Sequence, residues 1–149
     1  MQTEKLRQKQ YFELMQKSNI VSISIDIEAS PSKVWDIITN KTYAKILGSE
    51  FDKNAFVESD WKLGSPVHFK YEPDRLVSTG IVGKLIENEL IQIDYDFPGM
   101  DYLERYSIDK EGENSKLSIY AGSYGEDFEA QKVVWAKWLS KAKELSEKR

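Results

Sequence analysis

An α+β fold is predicted for this chain, with a curved antiparallel seven-stranded sheet wrapped around a long C-terminal helix. Three observations predict it. Across residues 20–39 the apolar period changes from two to helical within three residues. Beyond that point turn signals recur every eight to twelve residues or so, the spacing of an antiparallel meander. The last segment, 126–148, carries Phe128, Val134, Trp135, Trp138, Leu139, Ala142 and Leu145 at spacings of three and four, the stripe of one long amphipathic helix.

The elements follow in order. Val21, Ile23, Ile25 and Ile27 alternate with Ser22, Ser24, Asp26 and Glu28, as a half-buried strand requires. Ser30 is placed to accept from a free first-turn amide, and Pro31 fixes φ where no amide hydrogen is needed, so a helix starts there. Its stripe is Val34, Trp35, Ile37 and Ile38. Residues 42–47 make a second short helix, stopped at Gly48. Strands are expected at 55–59, 66–71, 77–86, 90–97, 102–109 and 116–122. Between them lie the turns 60–65, 72–75, 87–89 and Pro98-Gly99, and a polar hairpin loop at 110–115. Ahead of all this, residues 4–17 read as a helix bearing Leu6, Tyr11, Phe12, Leu14 and Met15. That apolar surface is too small for an isolated helix, so it is expected to pack on its own domain, cover a cavity mouth or join a dimer partner. The organisation is thus an N-terminal helical extension, 1–19, and one domain, 20–149.

Composition bounds the function. With 149 residues, 40% of them apolar and 12% aromatic, the chain has material for one well-filled core. No apolar run approaches a bilayer span, and the polar start lacks the apolar centre of a secretory signal, so a cytoplasmic protein is expected. Cysteine is absent, which removes disulfides, thiolate nucleophiles and Cys-based metal sites. A formal charge of −4 and a pI near 5.2 oppose nucleic-acid binding. The ends are basic and the middle holds most carboxylates, a pattern that solvated helix faces account for. His68, the single histidine, points away from the face of Val67 and Phe69, so catalysis by it is not expected. Without a second His or any Cys no zinc site assembles, and Asp94 with Asp96 is too sparse for calcium. Neither metal nor cofactor is expected, and no phosphate-cradling loop or nucleophile elbow occurs.

Three segments carry a family resemblance: Ile27-Glu28-Ala29-Ser30-Pro31-Ser32-Lys33-Val34-Trp35, then Asp60-Trp61-Lys62-Leu63-Gly64, then Trp135-Ala136-Lys137-Trp138-Leu139. In their order the chain resembles the START-like, or SRPBCC, superfamily, with its helix-grip (Bet v 1-like) fold. The wording is most similar to the branch homologous to the activator of the Hsp90 ATPase. The resemblance implies an elongated cavity between the concave sheet and the long helix, used across the superfamily for lipids, hormones, polyketides or protein contacts. It therefore implies a protein that binds a hydrophobic small molecule or lipid. Two alternatives stand beside it: an Hsp90-type chaperone-interacting module, and a polyketide cyclase-like enzyme using the cavity; under any of the three, a monomer or dimer is expected. Binding is expected ahead of catalysis, and no catalytic residue is named.

Alternation selects the side chains for such a cavity, because inward positions recur every second residue and face the helix stripe. They are Phe69, Tyr71, Ile91, Ile93, Tyr95, Tyr106, Trp135, Trp138 and Leu139, with Ile108, Leu117 and Ile119 on the same faces. The same residues would equally close a solid core. Glu104 is the polar marker, since it shares a strand face with Tyr102, Tyr106 and Ile108. Buried, it needs a partner and could orient a ligand's donor or meet a tyrosine hydroxyl; exposed, it would pair with Arg105.

Overall fold

A computed structural model of the chain describes residue 7 and residues 19–97 and 100–148. Its elements are β1 (Val21–Ile27), α1 (Pro31–Thr39), α2 (Lys41–Gly48), β2 (Ala55–Ser59), β3 (Pro66–Tyr71), β4 (Arg75–Ile86), β5 (Leu90–Phe97), β6 (Met100–Glu111), β7 (Asn114–Gly122) and α3 (Phe128–Glu147). The expected N-terminal helix and the Pro98-Gly99 turn lie outside the described residues.

All seven strands form one antiparallel sheet in the order β1-β7-β6-β5-β4-β3-β2. It is the predicted meander, with β1 added beside β7 through the register Val21↔Ala121 to Ile27↔Ser115. The sheet curls into a half-barrel, and α3 lies along β1 and against both short helices. The turn before α1 behaves as its residues dictate: the Ser30 hydroxyl accepts from the Lys33 amide at 3.3 Å, and Pro31 opens the helix. Asn40 then serves two helices. Its amide donates to the Asp36 carbonyl to close α1, and its side chain accepts from the Thr42 amide at 3.0 Å to open α2.

Gly48 is the last residue of α2, but its reason differs from the expected one. A Cβ at Gly48 would collide with the Ala55 carbonyl and the Phe56 Cα, so glycine is needed for close approach of α2 to β2. The predicted hairpin loop at 110–115 is also shorter than expected. Glu111 pairs with Asn114 and Lys110 with Ser115, leaving only Gly112 and Glu113 between the strands, with Gly112 at φ 64°. Polar residues, all but the buried Ser115 facing water, carry the two strands further than apolar alternation could show.

Two apolar clusters fill the concave side. The larger joins Val21, Ile27, Val34, Ile37, Leu117 and Ile119 to Trp135, Leu139 and Ala142 of α3. The smaller holds Val67, Val82, Ile91 and Ile93 of the middle strands. Trp35 and Ile38 of α1 and Tyr106 of β6 pack against both. At its far end α3 is tied down: Lys143 donates to the Asp26 carbonyl at 2.8 Å and to Glu147, whose carboxylate accepts from the Glu28 amide at 2.7 Å. No helix among the described residues is long and apolar enough to cross a membrane.

Candidate functional site

Between the sheet, α2 and α3 lies a cavity of about 780 Å³. Residues 102, 104 and 106 alternate along β6, so Tyr102, Glu104 and Tyr106 project from one face, and that face lines the cavity. Register supplies their neighbours: Tyr95 stands opposite Tyr102, and Ile91 opposite Tyr106. Gly80, paired with Tyr95, clears the way for that ring, since a Cβ there would come within 3.0 Å of Tyr95 Cδ1. The helices add Ile38, Ala44 and Trp138, and the 60–65 turn adds Trp61.

Glu104 anchors a chain of hydrogen bonds. Tyr106 donates to its Oε1 at 2.6 Å and Tyr102 to its Oε2 at 2.7 Å. With the Tyr102 proton spent, its oxygen accepts from Tyr124 at 2.7 Å, and Tyr124 in turn accepts from Trp135 Nε1 at 2.8 Å. Every donor thus points toward one carboxylate. No Lys, Arg or His among the described residues pairs with Glu104, and the surface it keeps accessible faces the cavity. Arg105, on the opposite face, bonds Gln92 Oε1 at 2.8 Å and lies over the Tyr120 ring. The alternative pairing of Glu104 with Arg105 is therefore not formed.

Burial sets the titration behaviour. Desolvation raises the Glu104 carboxyl above its ordinary value, while the hydroxyls of Tyr106 and Tyr102 pull in the opposite direction. Burial and the nearby Glu104 charge push the Tyr95, Tyr102 and Tyr106 hydroxyls well above the ordinary phenol value, and Tyr124 to about 12. These phenols remain donors at any physiological pH. Each carboxylate oxygen has two acceptor directions and spends one on tyrosine, so capacity remains for a donor entering from the cavity.

Among the residues selected by alternation, Phe69, Ile91, Tyr95, Glu104, Tyr106 and Trp138 line the cavity. Ile93, Trp135 and Leu139 are buried in the two clusters and do not line it. The Tyr71 hydroxyl instead donates to Asp52 at 2.7 Å. His68 contributes to the wall near β4, its Nδ1 3.4 Å from Thr79 Oγ1. Sequence reasoning passed over Trp61, Tyr102 and Tyr124. Tyr102 was legible from the alternation that selected Glu104. Trp61 holds φ 54°, an uncommon conformation for a bulky residue, and its amide donates to Ser59 Oγ at 3.0 Å. Nothing periodic marks Tyr124, which follows the last strand. Among the described residues no group of three or more His, Asp or Glu side chains converges to hold a metal ion.

With this arrangement in place, comparison with solved structures becomes informative. The Aha1 dimer from Colwellia psychrerythraea superimposes at a TM-score of 0.66 with 19% identity, covering 86% of this chain and 96% of that one. The fold is helix-grip. Protein CV1439 from Chromobacterium violaceum shares this helix-grip arrangement at a TM-score of 0.69 and 18% identity, over 88% of this chain and 99% of that one. CalU16 from Micromonospora echinospora matches at 0.63 and 14% identity, over 86% and 74%. No protein-family model and no curated protein sequence matches the chain. The expected helix-grip architecture, seven strands gripping a C-terminal helix after two short helices, therefore holds.

Proposed function

We propose that the protein binds a hydrophobic small molecule or lipid in the cavity, with the polar end of the molecule held at Glu104. One observation carries this reading: a mostly apolar cavity of about 780 Å³ contains a carboxylate oriented by tyrosines and paired with no cation among the described residues. Pockets for small ligands have this make-up, an apolar wall with a few placed polar groups that set orientation. Phe69, Ile91, Tyr95, Tyr106 and Trp138 form apolar and aromatic wall, and Ile93, Trp135 and Leu139 are buried in the adjoining clusters.

The test uses N-phenyl-1-naphthylamine, a neutral apolar fluorophore. Saturable enhancement of its emission is expected, with loss in an Ala44→Trp variant, whose indole would occupy the cavity. Absence of saturable binding, or equal binding by the filled variant, would remove the proposal. The helix-grip likeness to Aha1 supports a second reading, a chaperone-interacting module. An Hsp90 homologue whose ATPase rate and sedimentation are unchanged by the protein would end that one.

A further inference from the structure

We infer that the cavity selects an amphiphile whose polar end is a hydrogen-bond donor carrying positive charge, a protonated amine on an apolar body, and rejects carboxylate and phosphate head groups. This rests on the proposed cavity-binding reading and adds the head-group class to it. Trp135, Tyr124 and Tyr102 form a one-way relay in which each group gives its proton to the next and the last gives it to Glu104, while Tyr106 fills the other oxygen. The relay turns no proton toward the cavity, and what it presents there is the spare acceptor capacity of a carboxylate.

Charge points the same way. Besides Glu104, the lining carries the carboxylates of Glu58, Asp60 and Asp127, against Lys41 as its one lysine or arginine among the described residues. Glu58 shares its charge with Lys70 at 3.4 Å, which leaves the rest of the wall acidic. An acidic, low-dielectric concavity concentrates cations and repels anions. Aromatic faces complete the site: the Tyr95 and Tyr102 rings are 5.6 Å apart and those of Tyr106 and Trp138 5.4 Å apart, beside the same carboxylate. Rings grouped in this way attract a cation through their quadrupoles. A fatty acid would set its carboxylate against Glu104 with no cation among the described residues between them, so the head group and the wall would repel.

Three probes with one tail and different heads separate the possibilities: decylamine, decanol and decanoate, titrated calorimetrically at neutral pH below their aggregation limits. Decylamine is expected to bind on the order of tenfold tighter than decanol, and decanoate weakest. In Glu104→Gln the preference for the amine over the alcohol should shrink to about threefold or less. Circular dichroism melting of the variant confirms that it folds, and the ranking on the wild-type protein stands without it. Decanoate binding as tightly as decylamine, or an amine preference unchanged in Glu104→Gln, overturns the inference while leaving cavity binding intact. Failure of all three to bind the wild-type protein overturns cavity binding itself.

Discussion

Trp135 and Trp138 stand one helical turn apart on α3 in one core cluster, their rings 5.6 Å apart, yet only Trp138 lines the cavity. Trp135 is fully buried, edge-on to Phe51 at a centroid distance of 4.7 Å, and its indole N–H is satisfied by Tyr124. Trp138 borders the cavity, and both indoles pack against the Tyr106 ring. On the β1 side the long helix meets the sheet through a solid core, whereas over β2–β5 the middle strands hold a smaller cluster beside open space. A helix that packs tightly along one edge of a curled sheet stands away from the other, and the volume left between becomes a site. Packing residues and wall residues thus alternate on one helix face, with different consequences when removed.

The largest expected effect tests that division directly. Trp135→Ala should cost about 3–5 kcal/mol in denaturant unfolding, because it opens a void in close-packed surroundings. Trp138→Ala enlarges a space already present, so its cost should be smaller, about 2–3 kcal/mol. Equal costs, or the reverse order, would break the distinction between core and wall. Tyr124→Phe comes next. It deprives the buried Trp135 N–H of its acceptor and should cost about 1–3 kcal/mol.

Two carboxylates sharpen the comparison through pH. Burial raises the Glu104 carboxyl, so the folded protein binds that proton more tightly than the unfolded chain does. Its contribution to stability therefore declines as pH rises from the ordinary carboxylate range to the raised value. Lys143 and the Glu28 amide lower Glu147, so its stabilisation is present above the ordinary value and lost as pH falls through the folded one. Melting curves across mildly acidic pH should show opposite trends: Glu104→Gln gains on wild type as pH rises, and Glu147→Gln gains as it falls. Parallel trends would contradict the placement of one carboxylate in the cavity and the other at the helix end. The smallest effect belongs to Ser146, whose buried hydroxyl has no partner among the described residues. Ser146→Ala should leave stability unchanged or raise it by up to about 1 kcal/mol.

Much of this was legible in the sequence because burial imposes periods. The change from Ile27 to Val34 across Ser30-Pro31 marks a strand running into a capped helix, and both the cap and the helix form as their residues require. Trp35 was legible as an apolar stripe residue, and it packs where the two clusters meet. Where water faces the chain the signal fades, so 110–115 read as a loop although most of it continues two paired strands. Alternation also identified Glu104 as inward-facing but left its partner open. Tyr106 and Tyr102 shared its strand face, whereas Tyr124 is brought in by the tertiary path after β7, which carries no period. Nor can alternation separate a wall from a core, since Ile91 and Ile93 share a face and only Ile91 borders the cavity.

The claim that an apolar ligand occupies this cavity is tested most directly by the four indole N–H resonances in a nitrogen-15 correlation spectrum, titrated with N-phenyl-1-naphthylamine. Trp61 and Trp138, which line the cavity, should shift saturably, and Trp135 should follow through its bond to Tyr124. Trp35, which lies outside the wall, should move least. Saturable shifts that spare Trp61, Trp135 and Trp138, or no saturable shift at all, would contradict it.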